Sequence, residues 1–156
     1  MPLTALVRQL EQVPLTAEVL ERIRRPDRLR LQGASRAARA LTTSALACCE
    51  GAPLLVVVPT LEEAGRWAAL LELMGWPTTQ LYPTSEGSPY EGFDPTSEIT
   101  WGQLQVLSEL LAIDGAGKRS WRGAIVASER ALQPHLPPPA VLAEQCLSLR
   151  KGDCVI

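Results

Sequence analysis

Apolar and polar positions change period several times along this chain. Leu3 to Leu10 repeats apolar residues at helical spacing and predicts a short first helix. Pro14 interrupts it. Thr16 is placed to cap a second helix through Arg24, with Leu20 and Ile23 as its apolar edge and Glu18 and Glu21 in its early part. Leu29 and Leu31 then alternate with Arg28, Arg30 and Gln32, the period of a short strand with one face buried. Gly33 breaks the alternation. Ser35 can accept a bond from a free backbone N–H one turn in, which predicts a helix over 35–49, where Ala37, Ala40, Leu41 and Ser44 recur at spacings of three and four.

Glu50-Gly51-Ala52-Pro53 stops that helix, and Leu54-Leu55-Val56-Val57-Val58 follows as an unbroken apolar run. Such runs are how parallel strands read when helices cover both faces of their sheet. Thr60 with Glu63 has the spacing of a capping box, and a helix over 60–74 presents Leu61, Ala64, Ala68, Leu71 and Met74 on one side before Gly75 ends it. A third short strand is predicted over 78–81. The stretch from Tyr82 to Pro95 is rich in turn formers and long for a connection. Ser97 is the expected cap of a helix over 97–112 with Ile99, Leu104, Leu107, Leu110 and Leu111 on its apolar side, interrupted by Gly102. A turn at 114–118, a buried strand at 124–127 and a short helical turn capped by Ser128 and ended by Pro134 complete this part. Strands alternating with capped helices predict an α/β fold, a parallel sheet with helices on both faces. Pro137-Pro138-Pro139 marks a boundary, because three prolines fit neither a helix interior nor a central strand. Residues 1–136 therefore read as one α/β domain. Residues 137–156, with the alternation Cys146-Leu147-Ser148-Leu149-Arg150 and a turn at 151–153, read as the start of a second.

The predicted strand, glycine turn and helix start at 28–36 is the place where a P-loop would hold phosphate. Its residues are Gly33, Ala34, Ser35 and Arg36. A working loop needs several glycines so that consecutive N–H groups can wrap the phosphates. It also needs a Lys for their charge and a Ser or Thr for Mg²⁺. No Gly-Lys-Ser/Thr is present, so the loop reads as degenerate, with no cofactor and no catalytic residue expected. The net charge of −2 gives no global basic field for nucleic acid. The local run Arg22, Arg24, Arg25, Arg28 and Arg30 reads either as a helix end whose cations suit its dipole or as a phosphate-binding patch. The cysteines, Cys48, Cys49, Cys146 and Cys154, lack C-x-x-C spacing. The single histidine, His135, lies outside ligand spacing from any of them, so no metal site is expected and the thiols should be reduced. No run of 18 apolar residues and no signal-peptide pattern occur, and a cytoplasmic protein is expected.

The order of features, with LLVVVPTLEEAGRWAALLELMG, LYPTSEGSPYEGFDPTSEITWGQLQVLSELL, GAIVASERALQPHLPP and LSLRKGD, resembles the N-terminal region of the bacterial transcription-repair coupling factors (Mfd). That region is in turn similar to the first domain of the excision-repair helicase UvrB. The acidic, proline- and aromatic-rich stretch with Pro89-Tyr90 and Phe93-Asp94-Pro95 is the most specific piece. The resemblance implies a helicase-like α/β fold with a degenerate nucleotide loop, followed by a UvrB-interaction-type domain. It also implies a non-catalytic interaction and regulatory role for this part of the chain. In the full-length family member it implies an ATP- and Mg-dependent DNA translocase that displaces stalled RNA polymerase and recruits UvrA through regions beyond this chain. One position departs from the family pattern, with Gln103 standing where Arg is expected. The reading from residues alone leaves a second class open, a small phosphate- or nucleotide-binding α/β enzyme domain with an atypical loop. It would use Arg36 as its cation and would lack an acidic Mg²⁺ ligand at the end of a neighbouring strand.

Overall fold

Three parallel strands, β1 (Leu54–Val58), β2 (Thr78–Tyr82) and β3 (Gly123–Ser128), form one sheet in the order β1-β3-β2. The computed structural model describes residues 3–25, 29–84, 97–115, 122–133 and 136–146, with side chains in 97–115 described for 99–111. The helices are α1 (Leu3–Glu11), α2 (Pro14–Arg24), α3 (Arg36–Glu50), α4 (Leu61–Leu73), α5 (Ser97–Gly115) and α6 (Pro139–Gln145). The register pairs Val56 with Val126 and Leu81 with Val126, so among the described residues β3 is the central strand and both others are edges.

Pairing fixes what each face offers. Leu54, Val56 and Val58 share a face with Ala124 and Val126, because side chains alternate along a strand. On that face α4 touches all three strands and brings in Ala64, Trp67, Leu71 and Met74. Ala40 and Ala45 of α3 and Val7 of α1 close the same core. The opposite face carries Tyr82, Ile125 and Ala127, covered by Val106 and Leu107 of α5 and by Ala131. Helices therefore lie on both faces, as expected, but unequally.

Several expectations change. No strand forms among the described residues 29–32, which pair with no other segment, and Leu29 and Leu31 are exposed. Alternation states a period of burial but does not supply a neighbouring strand. The apolar run of β1 is not covered on both sides: Leu55 is 58% and Val57 46% exposed. Thr16 does not cap α2. Pro14 opens that helix, and the buried Thr16 hydroxyl donates to Leu10 O at 2.5 Å, tying α2 back to α1. The capping box at α4 is half made: Thr60 Oγ1 accepts from Glu63 N at 3.2 Å, while the Glu63 carboxylate turns away to Arg36. On α5 the buried position is Val106, and Leu104 and Leu110 point outward. Trp67 joins the α4 core face, which the period had not assigned to it.

Other expectations hold. Ser35 Oγ accepts from Ala38 N at 3.3 Å and starts α3, and the buried Ser128 accepts from Ala131 N at 3.2 Å. Gly51 (φ 62°) and Gly75 (φ 89°) end α3 and α4 in the left-handed region that favours glycine. Of the remaining expectations, the stretch over 85–95, the turn at 116–118, Pro134, His135, the alternation after Cys146 and the turn at 151–153 lie outside the described residues. So does the cap assigned to Ser97. Within the proline boundary, Pro139 opens α6, where a missing N–H costs no bond.

Candidate functional site

The turn 33–36 and the first turn of α4 meet at the end of the sheet where β1 finishes. β1 runs directly into α4 through Pro59-Thr60, so the α4 N-terminus lies at the C-terminal end of the strands. α3 runs into β1 through Gly51-Ala52-Pro53, so its own N-terminus lies at that same end. Gly33 takes φ 75° and bends the chain, with open space where a Cβ would stand. Ala34 O accepts from Arg39 Nε at 2.9 Å, which folds the turn onto the helix it introduces.

Arg36 does not face an empty cradle. Its Nε donates to Glu63 Oε2 at 3.2 Å and its Nη2 donates to Glu63 Oε1, a two-pronged contact between the first turns of α3 and α4. Arg66 Nη1 stands 3.8 Å from the same Glu63 Oε1, and Arg66 Nη2 also pairs with Glu62. Of the four loop residues, Gly33 supplies the turn, Ala34 a carbonyl, Ser35 the cap and Arg36 an ion pair. The sequence signal for Glu63 was available: consecutive helices that flank a parallel strand start at the same end of the sheet, so opposite charges in their first turns can meet.

Two arginines of the basic run, Arg22 and Arg24, pair with carboxylates within the fold. Arg22 Nη2 donates to Glu18 at 3.3 Å, and Arg24 holds Glu50 at the end of α3 with Nε at 3.1 Å and Nη2 at 2.8 Å. Arg25 and Arg30 are exposed, and Arg28 lies outside the described residues. Gln103, the position that departs from the family pattern, donates through Nε2 to Pro83 O at 2.9 Å and so fixes α5 to the chain leaving β2. Pro83 also presses on Gly102, where a Cβ would come within 2.8 Å of Pro83 Cγ. That contact is a reason for a glycine inside α5.

At the opposite end of the strands a cleft of about 570 Å³ lies between α1, the end of α3 and the α4–β2 turn. Arg8, Glu11, Cys48, Trp76 and Arg122 line it. Trp76 is held by its indole N–H, which donates to Ser44 Oγ at 2.8 Å. Burial and the nearby Glu11 carboxylate push the Cys48 thiol up from its ordinary value, against the smaller pull of Arg122. A protonated thiol is a poor nucleophile. Sequence reasoning missed this cleft because its residues come from four separate segments, α1, the end of α3, the α4–β2 turn and the start of β3. Among the described residues no group of three or more His, Cys, Asp or Glu could hold a metal ion, and Cys48, Cys49 and Cys146 are free. No helix among them is long and apolar enough to cross a membrane.

The fold is that of an α/β parallel-sheet domain whose turn at 33–36 is tied to α4 by the Arg36–Glu63 ion pair. Over 153 residues, 97% of its length, the chain is 33% identical to the transcription-repair-coupling factors of Mycobacterium bovis and Mycobacterium tuberculosis. The resemblance to that factor is thus shown, and the chain is related to one stretch of it, consistent with the N-terminal region. It spans 12% of the length of these curated relatives. No family model matches the chain, and no solved structure matches it.

Proposed function

We propose that the chain acts as a non-catalytic interaction and regulatory module of a transcription-repair coupling factor. The observation that carries this reading is the 33% identity along 97% of the chain. The turn at 33–36, whose Arg36 is engaged by Glu63, agrees with it. On this reading the sheet and helices are a helicase-like domain with a degenerate nucleotide loop. The whole protein is an ATP- and Mg-dependent DNA translocase of the cytoplasm that displaces stalled RNA polymerase. It recruits excision repair through UvrA, using regions other than this one. DNA contact by this chain itself is weak and salt-sensitive, because Arg22 and Arg24 are spent on carboxylates and the net charge is −2.

The test is calorimetric titration with Mg·ATP beside a phosphate-release assay. No saturable heat and no hydrolysis are expected. Micromolar affinity that disappears on Arg36→Ala would move the assignment to a nucleotide-binding enzyme domain. A second arm places this chain in the corresponding stretch of a mycobacterial factor. ATP-driven release of stalled RNA polymerase should persist, and its loss in a folded chimera would count against the module.

A further inference from the structure

The start of α3 carries the wrong charge for its own dipole. A helix N-terminus bears partial positive charge and favours carboxylates in its first turn. α3 has none there and instead places Arg36 and Arg39 at that end. Arg39 is answered by the Ala34 carbonyl. Arg36 is answered from the neighbouring helix, by both oxygens of Glu63. Glu63 in turn stands in the first turn of α4, where a carboxylate suits the dipole, and it gives up the return bond of its own capping box to make this contact. Both side chains are about two-thirds shielded, at 35% and 32% exposed.

We propose that Glu63 is a built-in counter-anion for the turn 33–36. The carboxylate stands where an external anion would meet Arg36, and so the turn keeps its shape and its link to α4 with no ligand. The loop is then closed as well as degenerate, and restoring glycines alone would not reopen it. This inference rests on the module reading only in expecting no nucleotide. It concerns which group neutralises Arg36.

Inorganic phosphate, against sodium chloride at matched ionic strength, is the probe. Its effect is read by thermal unfolding and by the amide resonances of Gly33, Ala34 and Ser35. In the native chain those amides should not move with millimolar phosphate. Glu63→Gln should lower the melting temperature by about 3 °C, the scale of one partly exposed ion pair. Phosphate should restore that loss and move the three amides, and Arg36→Ala/Glu63→Gln should respond to neither. Should Glu63→Gln not fold, the exchanged pair Arg36→Glu/Glu63→Arg decides, and it should melt above either of its single substitutions. Phosphate binding at the native turn, an unchanged melting temperature in Glu63→Gln, equal phosphate responses with and without Arg36, or no gain in the exchanged pair would each overturn the proposal. None of these outcomes involves Mg·ATP hydrolysis, so failure here is separable from failure of the module reading.

Discussion

Gly75 meets two constraints at once. Its φ of 89° is one that side chains rarely adopt, and a Cβ there would run into Thr4 Cγ2 of α1. Gly75→Ala should cost about 1–2 kcal/mol from the backbone alone, and more as α1 is pushed aside. Urea unfolding measures it. Adding Thr4→Ala should recover the steric part and leave the backbone part. Cys48 makes a second test. Its raised pKa comes from burial and Glu11, so at pH 8 the native thiol should react with iodoacetamide more slowly than in the unfolded chain, and the gap should narrow as pH rises through the shifted value. Glu11→Gln should narrow it at lower pH, because the carboxylate's repulsion is removed. Residue chemistry was legible where a side chain caps its own stretch of backbone, as Ser35, Thr60 and Ser128 do, or where the backbone itself needs a glycine, as at Gly75. Spacing along the chain did not encode it at Thr16 or Glu63, where the side chain chose a partner from another element, and Glu63 could be placed only from the topology of the two helices that flank β1.

At the scale of elements, α4 organises the sheet. It touches all three strands, and Leu71, fully buried, sits in the core beside Val126. Leu71→Ala should cost about 2–5 kcal/mol, through lost burial and the cavity left behind. Leu73→Ala, at a position 60% exposed, should stay within about 0.5 kcal/mol. Denaturant midpoints of the two variants check the contrast. The periodicity of α4 was readable because its core face is continuous, apart from the large Trp67 at its border. On α5 it was not. The helix is apolar on several sides, so a count of Leu at helical spacing selected Leu104 and Leu110, while the contact with Tyr82 and Ala127 selected Val106. The 28–32 alternation failed differently. Its local pattern suits a strand, yet strand formation needs hydrogen-bonding partners, and the sheet ends at β1 among the described residues.

For the whole molecule, the open side of β1 has a measurable effect. Five apolar residues with no charge, proline or bulge form an edge strand, and edges of that kind invite pairing with other chains. Leu55→Lys should cost less than about 1 kcal/mol, because the site faces outward, and should reduce self-association of the isolated chain in sedimentation velocity. Val126→Lys, at a fully buried site of the central strand, should prevent folding. Equal self-association of native and Leu55→Lys chains would mean that this edge is not where copies meet. The parallel α/β class was visible in the sequence because helices and strands alternate. Strand order was not, since β1, β2 and β3 carry similar apolar patterns.

That order also bears on synthesis. β3 lies between β1 and β2 but follows both in the chain, so no strand of the sheet has a neighbour until residues 123–128 have left the ribosome. Until then helices α1 to α5 and two unpaired strands have only each other to pack on, without the central strand, at a chain growth of about 5–20 residues per second. The interval between β2 and β3 thus becomes a window of several seconds in which a nascent chain depends on whatever shields it, and the sheet closes in one late step.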